Sequence, residues 1–129
     1  MEQMLVRNRT RGTIVAASAV LATSWWARLR GLMGRQSLLP GEGLIIRPCS
    51  SIHTCFMAFP IEVLFVGAEE RVLRAAPAIP PWRIGPLVPR TRYVVELPAG
   101  AIAASRTADG DELELVEVQA SSAEGRPGE

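Results

Sequence analysis

From Ile61 to Val66 every position but one is apolar, and Pro60 and Gly67 frame the run. An apolar stretch of this length between turn residues predicts a strand buried on both faces. The two-residue period of a strand sets Ile61, Val63 and Phe65 against Glu62, Leu64 and Val66. Glu62 breaks the pattern. A carboxylate in such a strand needs a hydrogen-bonding or arginine partner, or a raised pKa. Upstream, Ser50 to Phe59 alternates poorly in polarity but is rich in aromatic and β-favouring residues, which predicts another strand. It carries His53, Cys55, Met57 and Phe59 on one face and Ile52, Thr54, Phe56 and Ala58 on the other. Pro60 cannot donate to a sheet ladder and separates the two segments.

Elsewhere the pattern is one of short strands and turns. Met4 to Asn8 and Thr13 to Ala17 flank Arg9-Thr10-Arg11-Gly12, which predicts an opening hairpin. Thr23 or Ser24 can cap a helix from Trp25 to Met33, with Trp25, Leu29, Leu32 and Met33 on its apolar face and Gly31 and Gly34 weakening its end. Leu39 to Gly43 reads as a loop and Leu44 to Ile46 as a short strand. Gly67 to Glu70 predicts a turn, after which Arg71 to Ala76 returns as a strand. Pro77 to Pro89 holds five of the ten prolines, around Trp82 and Arg83, and reads as an ordered surface loop. Tyr93 to Leu97 is a strand, and Pro98-Ala99-Gly100 turns into one or two helical turns through Ser105. After a turn at Asp109-Gly110-Asp111, Glu112 to Val118 alternates, with Leu113, Leu115 or Val116, and Val118 inward. Together these predict a mostly β fold, a compact β-sandwich or barrel with one short capping helix. Residues 1–120 form one β domain and the polar residues 121–129 a disordered tail.

Composition narrows the function classes. The net charge is +1, which argues against nucleic-acid or membrane attraction by bulk charge. All fourteen basic residues are arginine, which excludes a lysine Schiff base and a phosphate-binding P-loop. No stretch approaches the ~20 apolar residues of a spanning helix, and the first apolar run is too interrupted for a secretory signal. The expectation is therefore a soluble, cytoplasmic protein with no nucleic-acid or membrane partner, in which Cys49 and Cys55 are thiols.

Cys49, His53 and Cys55 form the one cluster of reactive side chains. A structural zinc site draws four ligands from two separated pairs, and no second pair exists, so neither a metal nor a cofactor is expected. The spacing reads first as a buried thiol beside a hydrogen-bonded histidine. Glu62 has two readings: a structural acid paired with Arg28, Arg30 or Arg83, or a ligand-facing acid in a pocket lined by Trp25 or Trp26, Phe56 and Trp82. Arg7, Arg9 and Arg11 alternate along the first hairpin as a solvated face. Glu96 reads as a solvent-facing strand residue or a buried partner.

Several motifs occur in order: Arg30-Gly31-Leu32-Met33, Gly43-Leu44-Ile45-Ile46, Ser51 to Met57, Ile61 to Val66, Val95 to Gly100, and Gly110-Asp111. Together they resemble domain-of-unknown-function family 192 over roughly residues 13 to 117. The resemblance implies a compact β-sandwich or barrel and supplies no reaction. The family usually carries Asp where this chain has Glu62, so charge is kept and reach is lengthened.

The leading functional expectation is a small β-domain that binds an anionic or hydroxylated small molecule between the central strands, the helix and the proline-rich loop. His53, Cys55, Glu62, Arg30, Trp82 and Arg83 are the candidate ligand-binding residues. One alternative is a hydrolase-like enzyme using His53 and Glu62 as an acid–base pair or Cys55 as nucleophile. Another is a protein-interaction module presenting the Trp82 loop.

Overall fold

The computed structural model describes residues 3–22, 38–47, 61–79 and 88–118. Within them lie strands β1 (Gln3–Asn8), β2 (Thr13–Ala22), β3 (Glu42–Ile46), β4 (Ile61–Val66), β5 (Val72–Ile79), β6 (Tyr93–Leu97) and β7 (Leu113–Glu117), and helix α1 (Ala101–Ser105). The strands form one curled sheet, a half-barrel, in the order β5-β4-β6-β3-β2-β1-β7. Among the described strands only β2 and β3 run parallel as neighbours; the other pairs are antiparallel.

The period-two reading of β4 carries directly into packing. Ile61, Val63 and Phe65 pack with Leu44, Ile46, Ala76 and Val94 on one face. Leu64 and Val66 pack on the other, with Val6, Ala16, Ile45, Val72, Val95 and Leu113. This second cluster takes residues from every strand, including both edges, so it fills the concave side. All six residues of β4 are buried, as an apolar run flanked by strands on both sides requires.

The two edge strands meet at one point. Arg71 and Glu112 form an isolated antiparallel bridge. The Val72 N–H donates to the Asp111 carbonyl at 2.8 Å, and the Gly110 N–H to the Val72 carbonyl at 2.8 Å. The Asp109 carboxylate accepts from the Ala75 N–H at 2.9 Å. These bonds occupy backbone groups that an open edge would leave unpaired.

The Asp109–Asp111 turn is in turn held by a buried polar cluster. The Asn8 amide donates to Thr107 Oγ1 and to Asp111 Oδ2, each at 3.0 Å. Arg11 Nε and the Ala108 N–H also donate to Asp111 Oδ2 at 3.0 Å. Ser105 and Thr107 share a hydroxyl bond of 2.7 Å, and Thr13 Oγ1 donates to the Ser105 carbonyl. Arg7, Arg9 and Arg11 are exposed, as a solvated face requires, but Arg11 also serves this cluster.

Some expected boundaries move. β2 runs to Ala22 rather than Ala17. Glu42 and Gly43 belong to β3 rather than to a loop. Gly43 suits that place because a Cβ there would meet Ala16 Cβ, the Glu96 carbonyl oxygen and Leu97 Cδ2, each at 3.3 Å. β5 continues through Pro77 to Ile79, which an edge strand tolerates because one side of its ladder is unpaired. In β7, Leu113 is inward and Leu115 packs against the same cluster, whereas Val116 and, just past the strand, Val118 are 37% and 38% exposed. Glu96 is buried, in register with Leu44 and Val63. The expected helix at Trp25–Met33, the strand at Ser50–Phe59, residues 80–87 and the tail at 121–129 lie outside the described residues. No described helix is long and apolar enough to cross a membrane.

Candidate functional site

Charged groups gather near each end of β4. At its start, Glu62 pairs in register with Leu97, beside the turn that leads into α1. Oε2 accepts the Gly100 N–H at 2.9 Å and Oε1 accepts the Ile102 N–H at 2.8 Å. The first N–H groups of a helix have no partner within it, so a carboxylate here satisfies donors that the fold would otherwise strand. Gly100, at φ +91°, provides the left-handed conformation that lets the chain turn from β6 into the helix. Glu62 therefore has the hydrogen-bonding partners expected of a buried acid, and they are backbone groups.

Near the other end, four chain segments meet. Val66 pairs with Tyr93, Ile46 pairs with Val94, and the Arg92 N–H donates to the Val66 carbonyl at 2.8 Å. Arg47, Glu70, Thr91, Arg92 and Tyr93 line an open hollow of about 510 Å³. Tyr93 is buried, with the Arg47 guanidinium 4.7 Å from its ring centre. Its hydroxyl donates to Glu70 Oε1 at 2.5 Å. Burial first, then the hydrogen bond to Glu70 and its negative charge, push the Tyr93 phenol well above its ordinary range, against the opposing charge of Arg47. The phenol is thus a protonated donor throughout the neutral range.

The backbone around this hollow is strained. Glu69, Glu70 and Arg90 have φ of 60°, 59° and 72°, left-handed values uncommon for residues with a side chain. Gly67 permits the two turns to approach: a Cβ there would lie 2.8 Å from Leu73 Cδ1 and 3.1 Å from the Arg90 carbonyl oxygen.

A second hollow, of about 320 Å³, lies between β2, the Pro40-Gly41 turn and α1. Its walls are mainly small and apolar, including Ile14, Ala17, Pro98, Ala101 and Ala104.

Among the residues proposed from sequence, Glu62 alone is described. His53, Cys55, Arg30, Trp82 and Arg83 lie outside the described residues, as does Cys49. Among the described residues no group of His, Cys, Asp or Glu could hold a metal ion. Sequence reasoning did not single out Arg47, Glu70, Thr91, Arg92 and Tyr93. The available signal was weak: the only tyrosine, preceded by arginine, opening a buried strand.

A curled β half-barrel with a short helix at one turn and a charged hollow at its rim defines a class of small β-domain. The chain belongs to domain-of-unknown-function family 192, described as "Uncharacterized ACR", whose model matches residues 6–115. It is 31% identical to a UPF0127 protein of Thermococcus sibiricus over 83% of this chain and 71% of that protein. The fold is shared with a protein of unknown function from Novosphingobium aromaticivorans, at a TM-score of 0.72 and 24% identity, over 87% of this chain and 83% of that one. It is also shared with a Sinorhizobium meliloti protein described as a candidate transcription regulator, at a TM-score of 0.69 and 22% identity, over 88% and 92% of the two chains. At these identities the two structures speak to the fold.

Proposed function

We propose that this protein is a binding domain for a small anionic or hydroxylated molecule, taken at the rim where β3 and β4 end and β5 and β6 begin. The observation that carries the reading is the 510 Å³ hollow, which gathers Arg47 and Arg92 beside an acid, a hydroxyl and a buried phenol. A concave site with a few convergent polar groups is the usual form of a small-molecule site. The strained backbone at Glu69, Glu70 and Arg90 supports it, because such strain is concentrated at functional sites. Glu62 is released from the set of ligand anchors, since both its oxygens serve the turn into α1. His53, Cys55, Arg30, Trp82 and Arg83 stay in the set. Arg47 precedes the segment bearing His53 and Cys55, and Thr91 follows the one bearing Trp82 and Arg83.

Thermal melts of the full chain with lactate, glycerol and inorganic phosphate test the reading. A ligand that binds only the folded state raises the midpoint, by an amount that grows with the logarithm of its concentration above Kd. At least one anionic probe should raise it, and Arg47→Gln should remove the rise. Flat melts with every probe would sink the proposal. The same reading sets the protein in a reducing cytoplasm. A thiol titration of denatured, unreduced protein should then find both Cys49 and Cys55 free; finding neither free in fresh monomer would contradict that setting.

A further inference from the structure

The donor and acceptor inventory of the hollow narrows its ligand further, resting on the reading that the hollow binds a small molecule. Arg47 and Arg92 are permanently charged and can only donate hydrogen bonds. Thr91 Oγ1 already donates its proton to the Val88 carbonyl at 2.7 Å, so toward the hollow it can only accept. Glu70 accepts the Tyr93 proton at one of a carboxylate's several acceptor positions, and toward the hollow it too can only accept. The described lining therefore offers both donors with positive charge and acceptors with negative charge. Among the described lining residues, two guanidiniums against one carboxylate leave a single net positive charge.

We infer that the hollow takes a small monocarboxylate that also carries a hydroxyl or ammonium donor, a hydroxy acid or an amino acid. Its carboxylate pairs with Arg47 and Arg92, and its donor faces Glu70 and Thr91. A plain carboxylate brings no donor to the acceptor positions of Glu70 that Tyr93 leaves free, and a polyanion meets the Glu70 charge. Both are selected against by unpaired or repelled groups rather than by size.

Titration calorimetry of the full chain at neutral pH with lactate, propionate and inorganic phosphate tests this. Lactate should bind about tenfold more tightly than propionate, the discrimination of roughly one well-made hydrogen bond. Arg92→Gln, at an exposed position, should weaken both carboxylates. Thr91→Val and Glu70→Gln should each narrow the preference for lactate; Thr91→Val leaves the Tyr93–Glu70 bond in place and guards against a folding defect in the other variant. Lactate and propionate binding equally, both through Arg92, would overturn the inference while leaving small-molecule binding intact, as would phosphate binding most tightly. No binding by any of the three probes would overturn both.

Discussion

Replacing Asp111 with alanine should lower the free energy of unfolding by about 2–4 kcal/mol at neutral pH. Oδ2 of this residue is the common acceptor for Asn8, Arg11 and the Ala108 N–H. Asn8 is fully buried, so its amide loses an acceptor that water does not readily replace. Arg11 contributes less, because its side chain is 41% exposed and its charge returns to solvent when the partner is lost. The turn that Asp111 anchors also joins the two edge strands, so the loss reaches the closure of the half-barrel.

The same residue sets a pH dependence. Burial pushes the Asp111 carboxyl up, but the hydrogen bonds from Asn8, Arg11 and Ala108, together with the Arg11 charge, outweigh it and hold the group below its ordinary value. A group depressed on folding contributes stability that is fully present above its unfolded pKa, about 4. That contribution is lost as pH falls through the lower folded value. Urea midpoints of the parent and Asp111→Asn should therefore differ by a constant amount above about pH 5 and converge in more acid solution. A gap that stays constant to pH 2 would show that the carboxylate charge is not what holds the turn.

Glu62→Ala should cost about 1.5–3 kcal/mol. It removes a charged acceptor from two backbone N–H groups, at Gly100 and Ile102, in a half-buried turn. Glu62→Gln leaves one acceptor oxygen but sets an amide donor against the other N–H, so it should recover only part of the loss. Glu62→Asp keeps the charge and shortens the reach by one carbon, and should fall between. Chemical denaturation of the four proteins ranks them. Neutral or stabilising effects of alanine and glutamine would instead point to a pocket-facing acid, since functional groups are often poorly arranged for stability.

What the sequence made legible was what strand periodicity controls. Ile61–Val66 and Tyr93–Leu97 have the bounds read from the pattern, and the two faces of β4 divide as their alternation requires. The need of Glu62 for a partner followed from its apolar neighbours. The identity of that partner did not, because the N–H groups of Gly100 and Ile102 lie 38 and 40 residues away. The Asn8 cluster was hidden for the same reason: an asparagine before a hairpin turn reads as turn chemistry, and its partners Thr107 and Asp111 are 99 and 103 positions distant. The hollow is less legible still. Arg47, Glu70 and Arg92 come together only because β6 lies between β3 and β4, a strand order that no local pattern encodes. Pro77 was read as a loop signal because the sequence does not say which strand is the edge.

The central claim, that the hollow at the rim binds a small anion, is tested most directly by backbone amide chemical-shift mapping of the full chain during titration with lactate. Saturable shifts should centre on Arg47, Glu70 and Thr91–Tyr93, and be absent from Arg92→Gln. Shifts confined to Pro98–Ala104 beside the apolar hollow, or no saturable shifts, would contradict it.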